Sequence, residues 1–165
     1  MALAALTLLT VAACGGPDET DSVPSSPPER PADSRSTTQS HSAGPEPSVS
    51  AADGRDTTAC ADGDCEIAVS EPVTLRFEGP DGPATLSVTE VGPNKVEYTV
   101  KSGNGQSKGG ASGPGQGCVT VLRENGSGNS CGGLSRTRPS AQPDAVVIQA
   151  TTEADGTALL HIVSH

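Results

Sequence analysis

Few residues of this chain have the types and spacing that chemistry needs. Gly128-Asn129-Ser130-Cys131-Gly132 fits G-x-S-x-G, the turn that raises a serine nucleophile toward an acyl group. Such a serine needs a histidine base within hydrogen-bond reach and an acid behind that base. His161 is the partner to consider, so Ser130 with His161 is a trial pair for a small hydrolase. The setting argues against it, because the motif belongs to a strand-to-helix turn and no helical period surrounds it here. Twenty glycines also make a chance match easy.

Other candidates are weaker. Asp62, Asp64 and Glu66 stand at alternate positions and could offer carboxylate oxygens to Ca²⁺. The glycine and the bidentate glutamate of an EF-hand loop are missing, so a solvated turn is expected. His161 and His165 are four residues apart, which on a strand is roughly 13 Å, too far for one metal to take both. His161 shares its strand face with Leu159 and Val163 and is expected to be satisfied or solvent-facing. His41 lies in a polar tract and reads as a solvated linker residue. Residues 103–117 are glycine-rich but hold no G-x-x-x-x-G-K-[ST] and open no helix; Lys108 precedes Gly109. A phosphate cradle needs a helix N-terminus behind its loop, so a mobile inter-strand loop, open to recognition, is expected. No cofactor and no metal are expected.

The charge balance bears on partners. The chain stands at −10. Nucleic acid and anionic headgroups need basic patches, and both are disfavoured. One Phe, one Tyr and no Trp leave no stacking platform for single strands.

The elements that must position these residues read as strands. Apolar residues alternate with polar ones at Ile67 and Val69, at Val73, Leu75 and Phe77, at Ala84, Leu86 and Val88, and at Val96, Tyr98 and Val100. Further runs cover 118–122, 145–150 and 157–163. Period two is the strand signature. Gly79-Pro80-Asp81-Gly82-Pro83, Gly92-Pro93-Asn94 and Ala154-Asp155-Gly156 punctuate the runs with turn residues. The expected fold is all-β: a small antiparallel β-sandwich or barrel of about seven strands over residues 60–165. With so few aromatics the core is thin, and covalent support is expected.

The N-terminal region carries a different signal. Residues 1–13 are uncharged and mostly Ala, Leu, Thr and Val, too short a run for a spanning helix, which needs about 20 residues. The run ends in Val11-Ala12-Ala13-Cys14, which resembles the lipobox of bacterial lipoproteins. The resemblance implies a signal peptide over 1–13, a diacylglyceryl group on the Cys14 sulfur, and cleavage before Cys14. It covers about sixteen residues. The basic residues usual ahead of such a run are missing, so the true start is expected to lie upstream. Residues 14–59 hold half of the 14 prolines and almost no large apolar side chain. Such a tract cannot offset its ordering entropy and is expected to be a disordered tether, spanning on the order of 35–40 Å.

With Cys14 assigned to lipid, four of the five cysteines remain: Cys60, Cys65, Cys118 and Cys131. Four thiols in an exported domain imply two disulfides, with three possible connectivities. Spacing favours Cys60 with Cys65 and Cys118 with Cys131; Cys-x2-Cys spacing for zinc is missing. In composition, lipobox and tether the chain resembles small lipoproteins of unknown function from high-GC Gram-positive bacteria. The expectation is a membrane-anchored, extracytoplasmic, non-enzymatic binding domain that takes an envelope protein through loops or an edge strand. The alternatives are the secreted hydrolase and a protease inhibitor presenting residues 126–132 as a braced loop.

Overall fold

The computed structural model describes residues 49–165. Cys14, His41, the expected signal peptide over 1–13 and the tract up to residue 48 lie outside the described residues. A short 3-10 helix, Thr57–Asp62, opens the chain and is followed by nine strands. These are β1 Cys65–Val69, β2 Val73–Gly79, β3 Gly82–Gly92, β4 Lys95–Ser102, β5 Gly105–Ser112, β6 Gln116–Arg123, β7 Gly126–Gly133, β8 Ala145–Thr152 and β9 Ala158–Val163.

The strands form two antiparallel sheets. One has five strands in the order β1-β9-β8-β6-β7, the other four in the order β2-β3-β4-β5. The arrangement is a sandwich, not a closed barrel. Alternation decides which face is inside. Leu75 and Phe77 of β2, Ala84, Leu86 and Val88 of β3, and Val96, Tyr98 and Val100 of β4 meet Ile67, Cys118, Leu122, Ile148, Ala150, Leu160 and Ile162 of the other sheet in one core. The Tyr98 hydroxyl and the Thr120 hydroxyl share a buried hydrogen bond of 2.9 Å between the sheets.

Two-residue turns join several neighbours. Gly79 pairs with Gly82, Gly92 with Lys95, Ser102 with Gly105 and Arg123 with Gly126. Asn94 sits at φ 54°, the left-handed conformation that asparagine tolerates better than most residues.

There are nine strands where the apolar pattern suggests about seven. The two additions are β5 (Gly-Gln-Ser-Lys-Gly-Gly-Ala-Ser) and β7 (Gly-Ser-Gly-Asn-Ser-Cys-Gly-Gly). The expected mobile loop at 103–117 is therefore mostly strand β5 with the start of β6. Neither new strand alternates apolar with polar, because both belong to a corner where the sheets approach closely and large inward side chains have no room. A Cβ at Gly109 would lie 2.3 Å from Tyr98 Cζ. Asn129 Nδ2 on β7 donates directly to the Lys108 carbonyl on β5 at 2.8 Å.

The folded unit also takes in residues ahead of Cys60. Asp53 N donates to the Glu66 carbonyl at 3.0 Å and Ala68 N to the Gly54 carbonyl at 2.8 Å. Asp53 Oδ2 accepts from Glu66 N at 2.8 Å. Asp56 caps the 3-10 helix by accepting from Thr58 N and Thr58 Oγ1. Those bonds hold its carboxyl below the usual aspartate range, the Thr58 hydroxyl contributing most. Composition cannot see this, because acids and glycines acting as backbone partners look the same as acids and glycines in solvent.

Disulfides join Cys60 to Cys65 and Cys118 to Cys131. The first ties the 3-10 helix to β1. The second spans β6 and β7 at directly opposed positions.

Candidate functional site

The register lines up most of the candidate chemistry. Glu66, His161, Gln149, Val119 and Ser130 are successive partners across β1, β9, β8, β6 and β7. Direct partners share a sheet face, so Ser130 and His161 point to the same side. They are three strand spacings apart, about 14 Å, far beyond a hydrogen bond. The trial hydrolytic pair is thus not assembled. The G-x-S-x-G stretch is edge strand, not a strand-to-helix turn, and residues 126–132 do not form a protruding inhibitor loop.

His161 is buried, at 1 % exposure, rather than solvent-facing. Its Nε2 lies 3.2 Å from Glu66 Oε2, and Nδ1 has no partner among the described residues. The neutral tautomer with its proton on Nε2 satisfies this geometry. The outward face of this sheet is covered by the β7–β8 connection, residues 134–144, which crosses over β6. Gln149 Nε2 donates to the carbonyls of Ser135 and Thr137 at 2.9 and 3.2 Å. Arg138 pairs with Asp64, Arg136 pairs with Glu153, and Arg123 donates to Gln142 and to the Pro143 carbonyl. This cover explains why β8 and β9 are buried at every position and read as continuous apolar runs rather than alternating ones.

Two groups under the cover are displaced in titration. Burial pushes His161 below the ordinary histidine value, with Glu66 opposing and Arg138 adding to the effect. Burial pushes Glu153 above the ordinary glutamate value against the pull of Arg136. The signs differ in their consequence. The unfolded chain protonates His161 first, so stability is lost as pH falls below about 6.5. Folded Glu153 holds its proton longer, so its contribution is lost as pH rises above about 4.5. His161→Gln is therefore expected to reduce the drop in urea midpoint between pH 7.5 and pH 5.5, relative to the unaltered chain.

The three acids of the possible Ca²⁺ site are used structurally. Asp62 Oδ1 accepts from Asp64 N at 3.0 Å, Asp64 pairs with Arg138, and Glu66 accepts from Ala52 N as well as facing His161. No group of three metal-ligating side chains is arranged around one point among the described residues. His165 lies apart from His161 at one end of the sandwich. There it borders a cavity of about 370 Å³ with Asp62, Glu78, Glu124 and Asp144. A second groove, about 410 Å³, lies outside β4 and β5 among Thr89, Lys95, Glu97, Thr99, Lys108 and Ser112. Lys95 there is paired to Glu90 and Glu97.

The sheet edges expose backbone groups. A sandwich of two open sheets has four edge strands, and unpaired edges are pairing templates that proteins usually protect. On β1, Asp53 and Gly54 occupy the outer backbone groups. The 3-10 helix packs against β2, which also carries the exposed charges Arg76 and Glu78. On β5 the edge holds Lys108, whose carbonyl is taken by Asn129. Strand β7 packs against β5, to which its Asn129 donates. It contains no charge and no proline, and six of its eight residues are exposed.

No protein-family model, curated protein or solved structure matches this chain.

Sequence reading reached Ser130, His161 and the cysteines but not the groups that matter around them. Glu66 and His161 are 95 positions apart and meet only through the β1–β9 pairing. Arg136, Arg138 and Gln149 acquire partners only once residues 134–144 cross the sheet. Strand β7 carried one usable signal, a cysteine opposite Cys118 in a neutral Gly/Ser run.

Proposed function

We propose that the protein is a lipid-anchored extracytoplasmic lipoprotein whose β-sandwich is a non-enzymatic binding domain for another envelope protein. The observation that carries the reading is the β7 edge strand, mostly exposed and without charge or proline, in a fold whose other edge strands carry charges or are covered. The placement of Ser130 and His161 in one row but three strands apart supports binding over hydrolysis. The lipobox at Cys14 supports the anchor: each buried methylene is worth about 0.8 kcal/mol, and two acyl chains hold a protein firmly.

Two measurements test the reading. Cys14→Ala is expected to shift the protein from the membrane fraction to the soluble fraction; retention in the membrane fraction counts against the anchor. Chemical cross-linking in intact cells, followed by mass spectrometry, is expected to return a reproducible envelope-protein partner. Repeated failure to find one counts against the binding role.

A further inference from the structure

We infer that residues 134–144 are a strap that opens when His161 takes up a proton, uncovering the outer face of β1, β9 and β8.

The strap is fastened from below rather than from within. It contains no helix and no strand. Among the described residues its backbone makes one hydrogen bond to other backbone, at its first residue, where Leu134 N donates to the Gly115 carbonyl at 3.1 Å. Side chains hold the rest. Gln149 donates to the Ser135 and Thr137 carbonyls. Arg136 pairs with Glu153, Arg138 pairs with Asp64, and Arg123 reaches Gln142 and the Pro143 carbonyl. A segment secured this way lifts without breaking a strand ladder, so it opens more readily than the sandwich unfolds.

The covered face stores the reason to open. Ile67, Ile148 and Leu160 point into the core between the sheets, so Ala68, Val147, Leu159 and Val163 point outward, and all four are buried. Four buried side-chain atoms have no hydrogen-bond partner among the described residues, and three of them belong to this side of the sheet: Thr151 Oγ1, His161 Nδ1 and Glu153 Oε1. Thr151 lies close to Leu134 at the start of the strap, and Glu153 is held by Arg136 of the strap. Each of these atoms gains a hydrogen bond to water when the strap lifts, which it lacks when covered.

His161 supplies the trigger. Its Nε2–H faces Glu66 Oε2, so an added proton goes to Nδ1, where it finds no acceptor. The charged groups around the ring are few. Glu66 faces it from β1 and favours the cation, but also accepts from Ala52 N in the segment ahead of the 3-10 helix, where Asp53 is bound to Glu66 N. Arg138 faces it from the strap, anchored by Asp64, and opposes the cation. From β8 its direct partner is Gln149, which is uncharged and committed to the strap. Burial and Arg138 outweigh Glu66, so the proton binds more tightly once the strap has lifted, and binding it draws the strap open. Glu153 acts in the opposite sense. Burial raises its pKa, so its protonation in stronger acid favours the closed form. Opening is therefore greatest in mild acid, below about 6.5 and above the range in which Glu153 protonates.

The test is hydrogen exchange measured by NMR on the full-length protein at pH 7.5 and pH 5.5, each rate compared with that of the same group in a disordered peptide at the same pH. The Leu134 amide and the Gln149 side-chain amide report on the strap. Their protection is expected to fall at the lower pH by at most about tenfold, the ceiling for a histidine that titrates near 6.5 once uncovered. Low concentrations of urea are expected to leave this exchange unchanged, because lifting the strap exposes little surface compared with unfolding. His161→Gln is expected to abolish the pH response. Arg138→Gln is expected to lower protection at pH 7.5 and to shrink the response, which keeps the test decisive if the first variant does not fold. Equal protection at the two pH values overturns the proposal, as does an undiminished response in either folded variant. Exchange of both groups that rises with urea in step with the β8 amides also overturns it, since only global unfolding then exposes them.

Discussion

Tyr98→Ala is expected to destabilise the domain by about 3–5 kcal/mol, the range for removing a large buried aromatic ring. Tyr98 is the sole tyrosine in the chain. It fills the corner where β4 and β5 meet β6 and β7. Two losses combine. The ring leaves a cavity that Gly109 cannot fill, and the buried Thr120 hydroxyl loses its partner, which costs about 1–3 kcal/mol when nothing replaces it. Tyr98→Phe isolates the second loss and is expected to cost only that smaller amount. The converse change tests the packing from the other side. Gly109→Ala sets a methyl into the ring's position, and overpacking of a filled core costs about 1–3 kcal/mol. In the double variant the added methyl enters space the ring has vacated. The two effects are therefore expected to sum to more than the double variant shows. Denaturant unfolding of the four proteins measures this; strict additivity would show that Gly109 and Tyr98 do not share the corner.

The second large effect concerns the disulfides. Removing Cys118–Cys131 by a double alanine substitution is expected to cost about 3 kcal/mol, from the entropy of the loop it closes. Removing Cys60–Cys65, whose loop is shorter, is expected to cost about 2 kcal/mol. The local consequence differs more than the totals. Cys118 lies in the core while Cys131 is on the exposed strand, so the 118–131 bond pins β7 to β6. Without it, the amides of Gly126, Gly128 and Ser130 are expected to lose hydrogen-exchange protection before those of β6 and β8. Equal protection across the three strands would show that β7 is held by its ladder alone. In a domain whose total stability is of order 5–15 kcal/mol, either disulfide is a large share.

Much of the fold was legible because much of it alternates. The runs around Leu75, Leu86 and Tyr98 state their period and inner face outright, and the turn residues between them state where the chain reverses. The missing strands were those in which packing forbids the signal. At Gly109 the inner face has no space for a side chain, and at Gly128 and Gly132 the outer face carries none, so neither strand could show an apolar period. The candidate site was less legible for a related reason. Ser130 and His161 looked like reactants, but their separation depends on β9, β8 and β6 lying between them, and that order follows from the crossing of residues 134–144. His161 resembled an outer-face histidine until that crossing buried it against Glu66.

The central claim is that β7 is the surface through which the domain binds. Its most direct measurement is site-specific photo-cross-linking in intact cells, with the reactive group placed at Ser127 on β7 and, in a parallel strain, at Arg76 on the opposite sheet. The expected result is one abundant adduct with an envelope protein from Ser127 and none from Arg76. Adducts of equal yield from both positions, or an adduct from Arg76 alone, would contradict it.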